Sequence, residues 1–196
     1  SANIPLAQVG TSISAVKVAS YGNGFAALVA EVEPSTSTSP HPIVKFFEPS
    51  GELAGTLELP YATNEELLQP SALVSLDNSG LAALYIVSET LSGGASRTVA
   101  RVIELAPDGS TIVSQNEVEL ADISSIADSE IDAVEIPGGI AFATTIQASD
   151  GSNSAVLYQP LPFIGVAPSA ETIADAQKPS LAKTGDEQTP AALAYL

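Results

Sequence analysis

Tyr21-Gly-Asn-Gly-Phe-Ala-Ala-Leu-Val-Ala-Glu-Val32 sets a turn-forming Gly-Asn-Gly directly before six consecutive apolar residues, Phe25 to Ala30. A tight turn followed by a short, unbroken apolar run reads as a hairpin leading into a strand that is buried on both faces. The combination returns in Asn78-Ser-Gly-Leu-Ala-Ala-Leu-Tyr-Ile-Val87 and again in Pro137-Gly-Gly-Ile-Ala-Phe-Ala-Thr-Thr-Ile146. With Gly24, Gly80 and Gly139 aligned, the copies stand 56 and 59 residues apart. A period of this length marks a repeat architecture.

Working outward, each copy is preceded by a short strand-like segment: Ser14–Ser20, Ser71–Asp77 and Glu130–Ile136. Each is followed by a polar stretch (34–42, 89–96, 149–154) and then a third strand: Ile43–Phe47, Val99–Leu105 and Ala155–Gln159. Two copies continue into Glu48-Pro-Ser-Gly51 and Ala106-Pro-Asp-Gly109, where Pro presets φ and Gly tolerates positive φ, a β-turn signal. In the third copy Pro160-Leu-Pro-Phe-Ile-Gly165 stands in place of that turn. A last strand closes each unit: Glu52–Leu59, Thr111–Val118 and, more weakly patterned, Ala170–Ile173. Alternation in Val16–Ala19 and Thr56–Leu59 marks half-buried strands. Glu65–Leu68 and Ile123–Ile126 read as single helical turns between units.

The expectation is an all-β chain of three four-stranded repeats of roughly 57 residues, with at least ten strands and little helix. The units run about 12–68, 69–127 and 128–177, in a domain spanning 1–177, with 178–196 as a linker. Phe25–Val32, Leu81–Val87 and Ile140–Ile146 are expected to be equivalent inner strands.

A four-stranded meander with small residues on its inner strand and a hairpin turn carrying Ser-Gly or Asp-Gly resembles a β-propeller blade. The resemblance covers residues 12–177 and is one of pattern, since no Trp-Asp or kelch signature is present. It implies a ring, and rings of this kind take about four to eight blades, so three units leave it incomplete or completed by another chain. Pro190–Leu196 matches Pro70–Leu76 and lies 120 residues further on, which suggests the first strand of a fourth unit. The end strands of an open ring need cover; segments 1–10 and 190–196, or another chain, are the candidates, with Ala191–Leu196 expected as an ordered strand. A β-trefoil, also three units of four strands, is the alternative fold.

Composition narrows the function. Six Lys and Arg against 23 Asp and Glu give a formal charge of −17. Such a surface repels phosphate backbones, and no basic stripe offsets it, so nucleic acid and anionic membrane are poor partners. A hydrophobic fraction of 45% sets the chain apart from acidic disordered tails. No apolar run approaches the ~18 residues of a membrane span. The opening residues show no signal-peptide pattern, so any leader is expected to have been removed. Cys, Met and Trp are absent, which removes disulfide, thiolate-metal and redox chemistry and suits long exposure outside a cell.

Leu181-Ala-Lys-Thr-Gly185 is similar to the Leu-Ala-x-Thr-Gly sorting signals of Gram-positive surface proteins. That resemblance implies cleavage between Thr184 and Gly185 and transfer of the Thr carboxyl to cell-wall peptidoglycan. The competing reading makes residues 178–189 a loop between units.

Catalytic material is sparse. His41, the one histidine, lies between two prolines in a Ser/Thr-rich stretch and reads as exposed and idle. With no Cys and one His, a transition-metal site or a Ser-His-Asp triad has little to build on. The acidic group Asp128, Glu130, Asp132 and Glu135 offers paired carboxylates for glycoside hydrolysis or, with Asp150, oxygen ligands for calcium. The plainer reading of Asp128, Glu130 and Asp132 is a solvated strand edge that discourages edge pairing. No cofactor other than calcium is suggested. The functional expectation is a non-enzymatic, extracellular or cell-surface module, adhesive or structural, presenting a β-surface to a protein or glycan. The alternatives are a fragment or subunit of a secreted propeller hydrolase, or a self-assembling subunit.

Overall fold

The computed structural model describes residues 12–32, 40–109, 111–120, 125–126, 131–147 and 154–163. These hold twelve strands and no helix. They form three separate four-stranded antiparallel sheets. Sheet 1 is a meander of β1 (Ser12–Tyr21), β2 (Gly24–Val32), β3 (His41–Phe47) and β4 (Leu53–Glu58). Sheet 2 is a second meander of β5 (Glu65–Ser75), β6 (Leu81–Thr90), β7 (Ser96–Leu105) and β8 (Ile112–Glu119). Sheet 3 holds β9 (Ser125–Ile126), β10 (Asp132–Ile136), β11 (Gly139–Gln147) and β12 (Ser154–Pro162), with β9 and β10 both paired to β11. Each sheet is open and every described strand pairs within its own sheet, which gives the β-trefoil alternative no footing.

The three apolar runs are the second strands β2, β6 and β11, as the repeat requires. The glycines that open them have one physical cause. A Cβ on Gly24 would stand 2.0 Å from the Phe47 carbonyl oxygen, on Gly80 2.5 Å from that of Leu105, and on Gly139 2.3 Å from that of Leu161. In every unit the end of the third strand closes over the start of the second, and only glycine leaves room. Both Pro-X-Gly turns form as read: the Gly51 N–H donates to Glu48 O at 2.8 Å and the Gly109 N–H to Ala106 O at 2.9 Å, with φ of 87° and 68° at the glycines.

Two expectations fail locally. Glu65–Leu68 is the opening of strand β5, and Ser125–Ile126 is strand β9, so neither forms a helical turn. For Glu65–Leu68 the cause is an irregularity that the first strands of units one and two share. The register breaks between Ile13 and Val16 in β1 and between Leu67 and Ala72 in β5. These are equivalent places. In the third unit, β12 continues through Pro160–Pro162, where the turn was expected to be replaced. Residues 170–173 and 190–196, which carry the expected last strand and the fourth-unit strand, lie outside the described residues.

The sheets stack in one direction. On β6, Leu81, Ala83, Tyr85 and Val87 join a core with Ala26, Leu28, Ala30, Val44 and Phe46 of sheet 1. The alternate residues Ala82, Leu84 and Ile86 join a second core with Ile140, Phe142 and Leu161 of sheet 3. β6 is therefore buried on both faces, because a sheet covers each. Calling the Leu81–Ala83–Tyr85 side the front, the front of sheet 2 packs on the back of sheet 1, and the front of sheet 3 packs on the back of sheet 2. The first strands β1, β5 and β10 are neighbours across the stack. Ser75 Oγ donates to Ser20 O at 2.7 Å, and the Asp77 N–H donates to Glu135 Oε2 at 2.8 Å. At the other side of the stack, Asn116 Nδ2 donates to Pro162 O at 2.7 Å. The Tyr21 hydroxyl donates to Pro107 O, so the β7–β8 turn is pinned to sheet 1.

Candidate functional site

An arginine inside an apolar strand must be paired, since an unpaired buried charge costs several kcal/mol. Arg101, in Val99-Ala-Arg-Val-Ile-Glu-Leu105, is such a residue. Its cross-strand partners in register are Tyr85 on one side and Glu117 on the other, which puts all three on the front of sheet 2. The Leu59–Asn64 connection from sheet 1 closes over them and delivers Pro60 O, while the first residue of β5, Glu65, enters from the strand edge. The side chains of Arg101 and Glu65 are 8% and 4% exposed.

Every N–H of the guanidinium has a receiver. Nη2 donates to Glu65 Oε1 at 2.7 Å and to Glu117 Oε2 at 3.0 Å. Nη1 donates to Glu65 Oε2 and Pro60 O, both at 3.2 Å, and Nε to Glu117 Oε2 at 3.3 Å. Five contacts match the five donors of the fork. The Arg101 guanidinium carbon lies 5.7 Å from the Tyr85 ring centroid, and the Tyr85 hydroxyl donates to Pro60 O at 2.5 Å. Glu65 also receives the Ala62 N–H at 2.9 Å, and the Tyr61 hydroxyl donates to its carbonyl at 2.8 Å. Toward the open end of the strands Arg97 continues the network, with Glu89 at 2.6 Å and Glu117 at 3.5 Å.

The electrostatics follow from this packing. Burial alone would raise the Glu65 carboxyl, but the Arg101 hydrogen bond, the Ala62 N–H and the Arg101 charge together hold it below the usual carboxylate value. Burial would loosen the Arg101 proton, and its bonds to Glu65 and Glu117, with Tyr85 beside it, outweigh that and raise its value. Burial pushes the Tyr85 hydroxyl up to about 12, against the opposing pull of Arg101. The cluster is an ion network within sheet 2, on the face toward sheet 1 and capped by the Pro60 carbonyl of the connection between them. The five donors of Arg101 are all engaged within it.

The residues singled out from sequence are scattered by comparison. Asp132 is exposed on β10, whereas Glu135, half-buried on the opposite face of the same strand, is engaged with the Asp77 N–H. Asp128, Glu130 and Asp150 lie outside the described residues, as do Leu181, Ala182, Lys183, Thr184 and Gly185. Among the described residues no group of three or more His, Asp or Glu side chains is placed to hold a metal ion. His41 is not an exposed loop residue. It opens β3 opposite Glu31, is half-buried, and sets its ring edge-on to Tyr61 with centroids 5.1 Å apart. No described helix is long and apolar enough to cross a membrane.

Sequence reasoning passed over Arg101 and Glu65. The signal was present in a cation set in the apolar run Val99–Ile103, but its partner lies 36 residues upstream in a segment read as helix.

Together these features define an all-β protein of three stacked four-stranded sheets, consistent with a repeat architecture. No protein-family model matches the sequence, and no curated protein does. Among solved structures, the chain is similar to a subtype N10 neuraminidase-like protein of A/little yellow-shouldered bat/Guatemala/060/2010, at 13% identity and a TM-score of 0.37. The match spans 80% of this chain and 61% of that one.

Proposed function

We propose that this chain is a non-catalytic building module: a section of a propeller-type ring whose work is to stack onto further sheets of its own kind. The observation that supports it is the front-on-back stacking, which the three sheets repeat twice. In this reading the completed ring presents its surface to a protein or glycan outside the cell, and the Leu181–Gly185 stretch supports anchoring to a Gram-positive cell wall. A role as part of a secreted hydrolase uses the same ring.

The test is sedimentation velocity of the 196-residue chain over a wide concentration range, beside the V18D/L53D variant. Val18 and Leu53 are 59% and 53% exposed on the front of sheet 1, and an unchanged far-UV circular dichroism spectrum checks that the variant is folded. Concentration-dependent association that the variant loses is the expected result. Equal behaviour of the two proteins would count against the assembly reading.

A further inference from the structure

Strand β4 is the outer edge of sheet 1. Among the described strands it pairs with β3 alone, and Glu52, Leu53, Ala54, Thr56 and Glu58 along it are exposed. The Leu59 N–H donates to Pro42 O at 3.0 Å, which makes Leu59 and Pro42 a hydrogen-bonded pair of the β3–β4 ladder. Along an antiparallel ladder such pairs alternate with non-hydrogen-bonded ones. Leu57 with Val44 and Gly55 with Phe46 are therefore bonded pairs, whereas Glu58 opposite Ile43 and Thr56 opposite Lys45 are not. Thr56 and Glu58 thus turn both N–H and C=O away from β3, toward the open edge. Below them the ladder slips, with Ala54 as the extra residue. Edges of this kind are usually guarded by charge, proline or cover. The outer edge of sheet 2 is guarded: Glu117 and Glu119 on β8 sit beside Arg97, and Asn116 is bonded to Pro162 of sheet 3. Between Glu52 and Glu58, β4 has neither charge nor proline.

We infer that the edge of β4 is a docking site for an extended, basic peptide segment of another protein, which adds to sheet 1 as a further strand. Strand addition takes its affinity from main-chain hydrogen bonds and its selectivity from side chains at alternate positions. Thr56 and Glu58 supply the main-chain donors and acceptors, and Leu53, 53% exposed, supplies an apolar contact beside them. The charge of the occupant follows from its surroundings. Glu48, Glu52 and Glu58 are exposed around the edge, and Lys45, directly across from Thr56, is turned to Glu31 at 2.7 Å. A second copy of this chain is the poorer occupant. Its formal charge of −17 repels, and β4 paired with β4 gathers carboxylates of both copies on one ribbon, where like charges across strands destabilise the pairing. The site uses the edge of sheet 1 and neither of its faces, so it is independent of any stacking of sheets between chains.

The probe is a fluorescein-labelled synthetic peptide, Lys-Thr-Val-Thr-Val-Thr-Lys, followed by anisotropy. Its controls are the same peptide with glutamate in place of both lysines, and the same peptide with its backbone amides N-methylated. T56P removes an outward donor that the fold does not use, and proline is tolerated on an edge strand where its missing N–H faces solvent. The expected result is saturable binding of the lysine peptide that weakens by about tenfold or more in T56P and with either control. Hydrogen exchange supplies a readout that needs no variant: the Thr56 and Glu58 amides exchange freely in the chain alone and become protected when the lysine peptide binds. No binding, or equal binding by wild type and T56P with both amides still exchanging freely, overturns the inference. Equal affinity for the lysine and glutamate peptides overturns the basic occupant. Protection of both amides without peptide, together with a two-chain mass by light scattering, overturns it in favour of a second copy.

Discussion

Arg101 and Glu65 meet as a two-point ion pair, Nη2 to Oε1 at 2.7 Å and Nη1 to Oε2 at 3.2 Å, from strands on either side of β6. The pair joins the entry to sheet 2 with its centre, under the connection that arrives from sheet 1. Removing the cation alone leaves Glu65 buried and unpaired. R101M is therefore expected to cost about 3–5 kcal/mol in denaturant unfolding. R101M/E65L should cost less than R101M by itself, since no lone charge stays behind. Costs that simply add would show that the two residues are not coupled.

The same cluster sets a pH dependence at both ends. Because the Glu65 carboxyl is held below its ordinary value, its contribution to stability is complete above about pH 4.3 and is lost as pH falls through the folded value. The stability gap between wild type and E65Q should stay constant near neutrality and close in acid. Tyr85 works in the opposite sense. Its hydroxyl must stay protonated in the fold, so its contribution is present below pH 10 and lost as pH rises toward about 12. Y85F should flatten that alkaline decline. Thermal melts from pH 3 to 11 decide both, and a gap to E65Q that persists unchanged at pH 3 would contradict the first.

Glycine substitutions separate the repeat glycines from an ordinary one. G24A, G80A and G139A each drive a methyl to within 2.0–2.5 Å of a backbone carbonyl oxygen, and each should cost about 3 kcal/mol or more, at or beyond the upper end of overpacking penalties. Gly55, in β4, meets nothing nearer than 4.0 Å. G55A should be neutral or stabilising by up to about 1 kcal/mol, through a less flexible unfolded chain. If G55A hurts as much as G24A, the close approach is not what selects the three glycines.

Thr144 faces the sheet 2–sheet 3 core at 2% exposure, and its Oγ1 has no hydrogen-bond partner. Valine keeps the shape and removes the unsatisfied hydroxyl. T144V should raise stability by about 1 kcal/mol, visible as a shift in the denaturant midpoint at unchanged m-value. A loss of stability would mean that the hydroxyl is satisfied in solution.

The parts of the fold that were legible from sequence are local. Gly24, Gly80 and Gly139 and the apolar runs behind them carry their periodicity in adjacent residues, and the two Pro-X-Gly turns carry theirs in four. The opening of β5 was not legible for an equally physical reason. Glu65-Glu-Leu-Leu68 has good helix formers and no alternation, and the bulge after Leu67 breaks the two-residue period that would have marked a strand. Arg101 and Glu65 were missed because their contact depends on which strands flank β6, a matter of topology.

By itself, then, the amino-acid sequence determined the number of units, their inner strands and the glycines at which the backbone closes, because each is an interaction between residues near in the chain or a pattern repeated along it. Only the tertiary structure decided which face of each inner strand meets which neighbour. Alternation shows that Leu81 and Ala82 point opposite ways, yet both are apolar, and the choice between sheet 1 and sheet 3 is made by the direction in which the sheets stack. That direction gives three similar sheets a front and a back, and sets the Arg101 ion pair of sheet 2 under the connection that arrives from sheet 1.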